Sequence, residues 1–199
     1  ANRFVMLAAR SLTRCAAMRV LKYAILGLLN RQPMTGYDIG KEFNYELAEF
    51  WHAKHSQIYT ELKKLHDEGL VTYDIEISGD ILEKKQYSIT EEGRNDLLKW
   101  LHKDELIERT AKDVFRVRMY FSNNLDLESR IKLLESQKMQ HRRRLNQLKK
   151  TAEQYPVVPA HDSDRFGDFI VLESAIMREE SILTWIEKCI GYCQEAKNR

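Results

Sequence analysis

No apolar run in the chain approaches the roughly 20 residues that a membrane-spanning helix needs, and mean hydropathy is −0.53. The sequence therefore reads as that of a protein without membrane partners. Cysteine is scarce: there are three, an odd number that argues against a disulfide scaffold and for a reducing cytoplasm. A phosphate-binding glycine loop, a nucleophile elbow and a metalloprotease motif are all missing, so no enzyme, catalytic residue, metal or cofactor is expected. A strong charge of one sign is absent too. The net charge of +2 is weak evidence for nucleic acid, for which distribution counts more than total. What remains is a chain of 199 residues, long enough for one sizeable core or for a small domain with a helical extension.

The most informative stretch is KHSQIYTELKKLHDEGL, residues 54–70. At 100° per residue, Ile58, Leu62 and Leu65 form an inward stripe. Ser56, Thr60, Lys63 and Asp67 fall opposite, with Gln57 and Lys64 on the flank. Hydroxyls and amides can read base edges while ammonium groups neutralise phosphates, so this face suits a recognition helix in a DNA major groove. A solvated amphipathic helix would share the pattern, but the residues C-terminal to the stretch favour the DNA reader. Gly69 stands where a helix end favours a left-handed residue. Val71, Tyr73, Ile75 and Ile77 then alternate with polar neighbours, Ser78, Gly79 and Asp80 supply a turn, and Gln86 to Thr90 form a second short strand. The resulting hairpin carries Lys84 and Lys85 as the wing of a winged helix-turn-helix. Expected DNA contacts are His55, Ser56, Gln57, Thr60, Lys63 and Lys64 on the helix and Lys84 and Lys85 on the wing. Tyr59, off the outer face, is added as an aromatic that could reach a phosphate from the flank.

The rest of the chain fits around that module. Residues 1–17 bear three arginines and no acid; they read as an extension ahead of a natural start at Met18, with a transit peptide as the alternative, and are set outside the fold. A first helix runs from Met18 to about Asn30, with Leu21, Ala24, Ile25, Leu28 and Leu29 apolar. Thr35 caps a second helix, which continues or restarts over Asn44 to Phe50, and Trp51 is expected to be buried. Thr90, Glu91 and Glu92 open a further helix. From Asp126 to Tyr155 a heptad seam passes through Leu134, Lys138, His141, Leu145 and Leu148. Pro156 and Pro159 break it, and Ser163 caps a last helix whose seam includes Phe169, Leu172, Ile176, Leu183, Ile186, Ile190 and Cys193. A second stripe of Ile182, Trp185 and Cys189 suggests a second subunit. The fold class is thus mainly α with a small β-hairpin: a winged helix-turn-helix domain over 18–105 and a C-terminal antiparallel helical dimerisation and effector-response domain over 106–199.

The strings MRVLKYAILGLL, TGYDI, FWHAKHSQIYTELKKLHDEGLV and LEKKQYSIT resemble the PadR family of bacterial transcriptional regulators, and KDVFRVRMYF and FGDFIVLESAIMREESILTWIE are similar to that family's C-terminal helices. The resemblance covers nearly all of the chain from Met18. AKHSQIY and ELKKL look most like its phenolic-acid-responsive members. It implies a homodimeric repressor of a phenolic acid decarboxylase gene, bound to an inverted repeat in double-stranded operator DNA and released by a small phenolic acid effector such as p-coumarate or ferulate. No effector residue is marked by the sequence. The residues by themselves reach only a winged, dimeric DNA binder, and two alternatives stay open: a helical scaffold whose wing binds another protein, and a repressor of this family with a different inducer.

Weaker constellations have blander readings. His52, His55 and His66 lack carboxylate or cysteine partners at metal-ligand spacing. Cys189 and Cys193, four apart on an apolar helix, read as core rather than as a redox sensor. Arg142, Arg143 and Arg144 read as a solvated face pairing with acids such as Glu179 or Glu180, and Arg116 and Arg118 as structural ion-pair partners.

Overall fold

The computed structural model describes residues 20–44, 51–78, 82–105 and 112–197. The readings of residues 1–17 as an extension, of Met18 as a helix start, of a helix continuing to Phe50 and of Gly79 and Asp80 as turn residues lie outside them. The chain divides into two compact units between Leu106 and Ile107.

In the first unit α1 covers residues 20–31. It is followed by β1 (Met34–Thr35), α2 (Gly36–Asn44), α3 (His55–Asp67), β2 (Val71–Ser78), β3 (Leu82–Ile89) and α4 (Glu91–Leu101). The strands make an antiparallel sheet in the order β1-β3-β2. Two features exceed the expected hairpin. β3 begins at Leu82, because Glu83, Lys84 and Lys85 continue the ladder opposite Ile77, Glu76 and Ile75; consecutive charges hide the alternation that marks a strand. β1 pairs Met34 with Tyr87 and Thr35 with Gln86, and two residues are too few to show a period. Thr35 also caps α2 as expected, accepting the Asp38 backbone N–H at 3.2 Å.

Ile25, Leu26, Ile39, Ile58, Leu62 and Leu65 have no exposed surface and form the core with Phe43 and Val71. Trp51 is half-buried at its edge. The chain between α3 and α4 is locked at both ends. Gly69 adopts φ +73°, the left-handed geometry that glycine takes without steric cost. Thr90 caps α4 through the Gly93 N–H at 3.1 Å, donates its hydroxyl to Gly69 O at 2.8 Å and donates its own N–H to Leu70 O at 3.1 Å. Gly93 lies so close to the Leu70 carbonyl that a Cβ there would overlap it.

Sequence patterning misses two buried charges in this unit, Glu61 of α3 and Lys22 of α1. Lys22 is 6 % exposed, with Nζ 2.8 Å from Asp96 of α4 and 3.2 Å from Glu68 at the end of α3. Burial opposes its charge, but the hydrogen bonds and attraction of Asp96 and Glu68 together outweigh burial, so its pKa is raised above 10.5. A lone ammonium in this place would be costly; two carboxylates make it a link between three helices.

The second unit contains α5 (Val114–Tyr120), a 3-10 turn at Ser122–Asn124, α6 (Leu127–Ala152) and α7 (Asp164–Lys197). Asp126 caps α6 by accepting the Ser129 N–H at 2.8 Å and the Ser129 hydroxyl at 2.7 Å, and these bonds hold its carboxyl below the usual value. α6 and α7 pack antiparallel, with Leu134 against Ile186, Ile190 and Cys193. Three details differ from expectation. Ser163 precedes α7, but its hydroxyl donates back to Ala160 O at 2.7 Å instead of capping the helix. Tyr155 lies beyond the end of α6, in the turn, against Phe169. The stripe of Ile182, Trp185 and Cys189 is largely used within the chain: Ile182 and Cys189 join Phe115 and Met119 of α5 around the core, and Trp185 meets Phe115 edge-on.

The seam of α7 also holds a carboxylate where an apolar residue would be expected. Glu179 is 3 % exposed, accepts from His141 Nδ1 at 2.5 Å and lies 3.3 Å from Arg144 Nε. Arg142 pairs with Glu187 at 3.0 Å and Lys149 with Glu180 at 2.7 Å. Arg142 and Arg144 of the arginine run are thus paired across to α7, and Arg116 pairs with Asp113 at 3.2 Å, whereas the ion pair expected for Arg118 is not among those formed between described residues.

The Lys22 link has a pH signature. Its folded-state pKa lies above the ordinary 10.5, so its stabilisation is complete below that pH and is lost as pH rises through the folded value. Urea midpoints of the wild type should fall more steeply than those of Lys22→Met above about pH 10.5; parallel curves would contradict the link.

Candidate nucleic-acid interface

The inward stripe of α3 fixes which side chains face out. With Ile58, Leu62 and Leu65 fully buried, Ser56, Gln57, Tyr59, Thr60, Lys63 and Lys64 are all exposed, as is His55 at the helix start. These seven lie on one helix, but several have bonding capacity already engaged. Gln57 Oε1 accepts the Lys54 N–H at 2.9 Å; it is the N3 side chain reaching back to the start of the helix, which leaves its two amide N–H donors facing out. Lys54, the N-cap residue, has no side-chain acceptor to offer, so only the reverse half of a capping box, from Lys54 N–H to Gln57, is formed. The Thr60 hydroxyl donates to Ser56 O at 2.7 Å, which leaves its oxygen free as an acceptor. Lys64 Nζ is 3.9 Å from the buried carboxylate of Glu61, so among the helix lysines Lys63 is the more available to a phosphate.

His55 and Tyr59 are exposed on one side only. Their rings lie over Gly40 and Gly36 of α2, so both also serve the packing of α3 against α2. Inside α2, Gly40 costs the helix about 0.5–1 kcal/mol relative to alanine, which indicates that room for the His55 ring matters.

The wing lysines do not share a surface. Cross-strand partners lie on the same face, and Val71↔Ile89, Tyr73↔Tyr87 and Ile75↔Lys85 form the inner row. Lys85 therefore lies on the core-side face, its ammonium 4.0 Å above the Tyr73 ring. Lys84, opposite Glu76 in the register, points to the other face and is exposed. Tyr73 also touches His66 and Tyr87, which makes an aromatic ladder from the end of α3 onto the sheet. Burial pushes the Tyr87 phenol up; Lys85 opposes the shift, and Tyr73 and Tyr59 add to it. Strand periodicity already separates Lys84 from Lys85. Gly36, Gly40 and Gln57's cap bond are harder to read, though the GYDIG spacing is a signal for the first two.

Among the described residues no cluster of His, Cys, Asp or Glu is arranged to hold a metal ion. Cys193 is buried and Cys189 half-buried, and burial raises the Cys189 thiol pKa, with Cys193 adding to the shift. No described helix is long and apolar enough to cross a membrane.

Comparison with known proteins adds a family. Residues 25–99 match the transcriptional regulator PadR-like family, and residues 111–194 match the C-terminal segment of virulence activator alpha proteins. The chain is 41 % identical to the negative transcriptional regulator PadR of Bacillus subtilis over 177 residues, 87 % of this chain and 97 % of that protein. Its fold is similar to crystal structures of Bacillus subtilis PadR. In the complex with operator DNA the TM-score is 0.84 at 40 % identity, and in the complex with p-coumaric acid 0.79 at 38 %; each comparison covers 88 % of this chain and 99 % of the other.

The cap bond predicts a split between two substitutions. Gln57→Glu retains an acceptor for the Lys54 N–H and should leave the unfolding midpoint unchanged, whereas Gln57→Ala should cost about 0.5–1 kcal/mol. Urea titrations in which both variants match the wild type would show that the bond does not stabilise α3.

Proposed function

The chain belongs to the transcriptional regulator PadR-like family, and from that premise we propose that it is a sequence-specific DNA-binding repressor, not an enzyme. The observation that carries this is 41 % identity to a negative transcriptional regulator, extending through both units of the chain. In this reading α3 enters the major groove. Ser56, Gln57 and Thr60 face base edges, while His55, Tyr59, Lys63 and Lys64 contact or flank the phosphates. Of the wing lysines, exposed Lys84 meets the neighbouring backbone, and Lys85 braces the wing through Tyr73 while adding charge to the same region.

The protein acts as a homodimer on an inverted repeat, since two modules reach a specificity that one small module does not. Surface for a partner copy exists: Val114 and Val117 of α5 and Ile170, Val171 and Met177 of α7 are exposed in the single chain. A repressor acting on operator DNA works in the cytoplasm, which is the compartment proposed here. The 18–105 segment reads DNA, and the 106–199 segment pairs subunits and responds to effector.

The effector in this proposal is a hydroxycinnamic acid, supported by similarity to a protein crystallised with p-coumaric acid, and the target is a gene for a phenolic acid decarboxylase. Release requires the acid to bind the DNA-free geometry more tightly. A coupling of about 1–3 kcal/mol lowers operator affinity about 5- to 150-fold, and operator must weaken p-coumarate binding by the same factor. Calorimetric titration of p-coumarate into free protein and into the operator complex tests this. Equal affinities, or no binding to either, would remove hydroxycinnamates as the inducer, and loss of preference for operator over random DNA would remove the repressor itself.

A further inference from the structure

α2 buries two glycines four residues apart, Gly36 and Gly40, and α3 lays two rings, also four apart, against them. A Cβ at Gly36 would stand 2.6 Å from Tyr59 Cε1, and one at Gly40 would overlap the His55 imidazole. Matching four-residue spacings bring both pairs together, in opposite order along the two helices. Neither glycine has positive φ; among the described residues only Gly69 does. The backbone therefore does not require glycine at 36 or 40, and the rings do. Each ring also borders the outer surface of α3, with Tyr59 49 % exposed.

We propose that Gly36 and Gly40 are positioning residues for operator recognition: two notches that seat the Tyr59 and His55 rings and so set the distance and roll of α3 against α2. The inference rests on the DNA-reading role proposed for α3. A methyl group in either notch must move its ring outward, into the space of Ser56 and Thr60, or push α3 away from α2. Both displace the donors and acceptors on α3 relative to the sheet and wing. Hydrogen bonds to base edges depend steeply on distance and angle, whereas flexible lysines follow a phosphate through such a shift. Discrimination between sequences should suffer more than general DNA affinity.

The test uses the full chain and a DNA sequence that the wild type selects from a random pool. Gly40→Ala is made with His55 present and in His55→Ala, and Gly36→Ala with Tyr59 present and in Tyr59→Ala. With the ring present, each alanine should reduce the ratio of selected-sequence to random-sequence affinity about tenfold or more; with the ring removed, the same alanine should change it less than about twofold. Thermal midpoints should fall where methyl and ring coexist, because the notch is overpacked, and should recover once the ring is removed. In the free protein, amide exchange in the first two turns of α3 should speed up only where methyl and ring coexist. An unchanged ratio in both single alanine variants, or equal losses with and without the rings, overturns the inference alone. Failure of the wild type to select any sequence overturns the DNA-reading role and this inference together. If an alanine variant does not fold, folding restored by removing its ring supports the notch, and continued misfolding counts against it.

Discussion

Burial of Ile58, Leu62 and Leu65, all at zero exposure, is the constraint on which the site depends. Fully burying three such side chains contributes about 5–9 kcal/mol before entropy is subtracted. An exposed ion pair on the opposite face is worth about 1 kcal/mol at most. Helix α3 therefore rolls to satisfy its apolar stripe, and the polar face is presented as a consequence. Roll is only one coordinate. The reading surface also depends on how closely α3 approaches α2, which the Gly36 and Gly40 contacts limit, and on where its C-terminus is anchored, which Lys22, Gly69 and Thr90 determine. In its proposed role on DNA, a helix held at both ends and along its inner face loses little conformational freedom on binding, which favours affinity.

The second unit uses a related device. Glu179, seated in an otherwise apolar seam, is paired with His141 and Arg144. Buried ion pairs add little net stability, but leaving a buried carboxylate without its partners costs about 3–5 kcal/mol. Sliding α7 along α6 by a turn would do that. The pair thus selects one register of two long helices whose other contacts are repetitive.

What was legible in the sequence was what repeats. Three apolar residues at helical spacing, a glycine stop and alternating strand residues suffice for the helix, hairpin and wing order, and a heptad pattern suffices for α6 and α7. Isolated features were not. Lys22, Glu61 and Glu179 are buried, yet each reads as a solvated charge; for Glu179 the pairing with the arginine run was legible, but not its place inside the seam. β1 is two residues long, below any period. For the site, all nine expected contact residues are exposed, but patterning did not show that His55 and Tyr59 also pack on α2 or that Lys85 packs on Tyr73. How much bonding capacity each retains was hidden, because the Gln57 and Thr60 bonds depend on rotamers that spacing does not specify. For the Ile182, Trp185 and Cys189 stripe, periodicity reveals surplus apolar surface but not how it is shared: α5 covers Ile182 and Cys189 within the chain, while Trp185 stays partly exposed.

In the proposed complex α3 lies in the major groove of two symmetry-related half-sites. Methylation interference addresses it directly, because guanine N7 lies in the major groove and adenine N3 in the minor groove. Methylated guanine N7 should block binding in two clusters related by an inverted repeat, their centres about 10 base pairs or a multiple of that apart. Interference confined to adenine N3, or a single cluster without a symmetry mate, would contradict it.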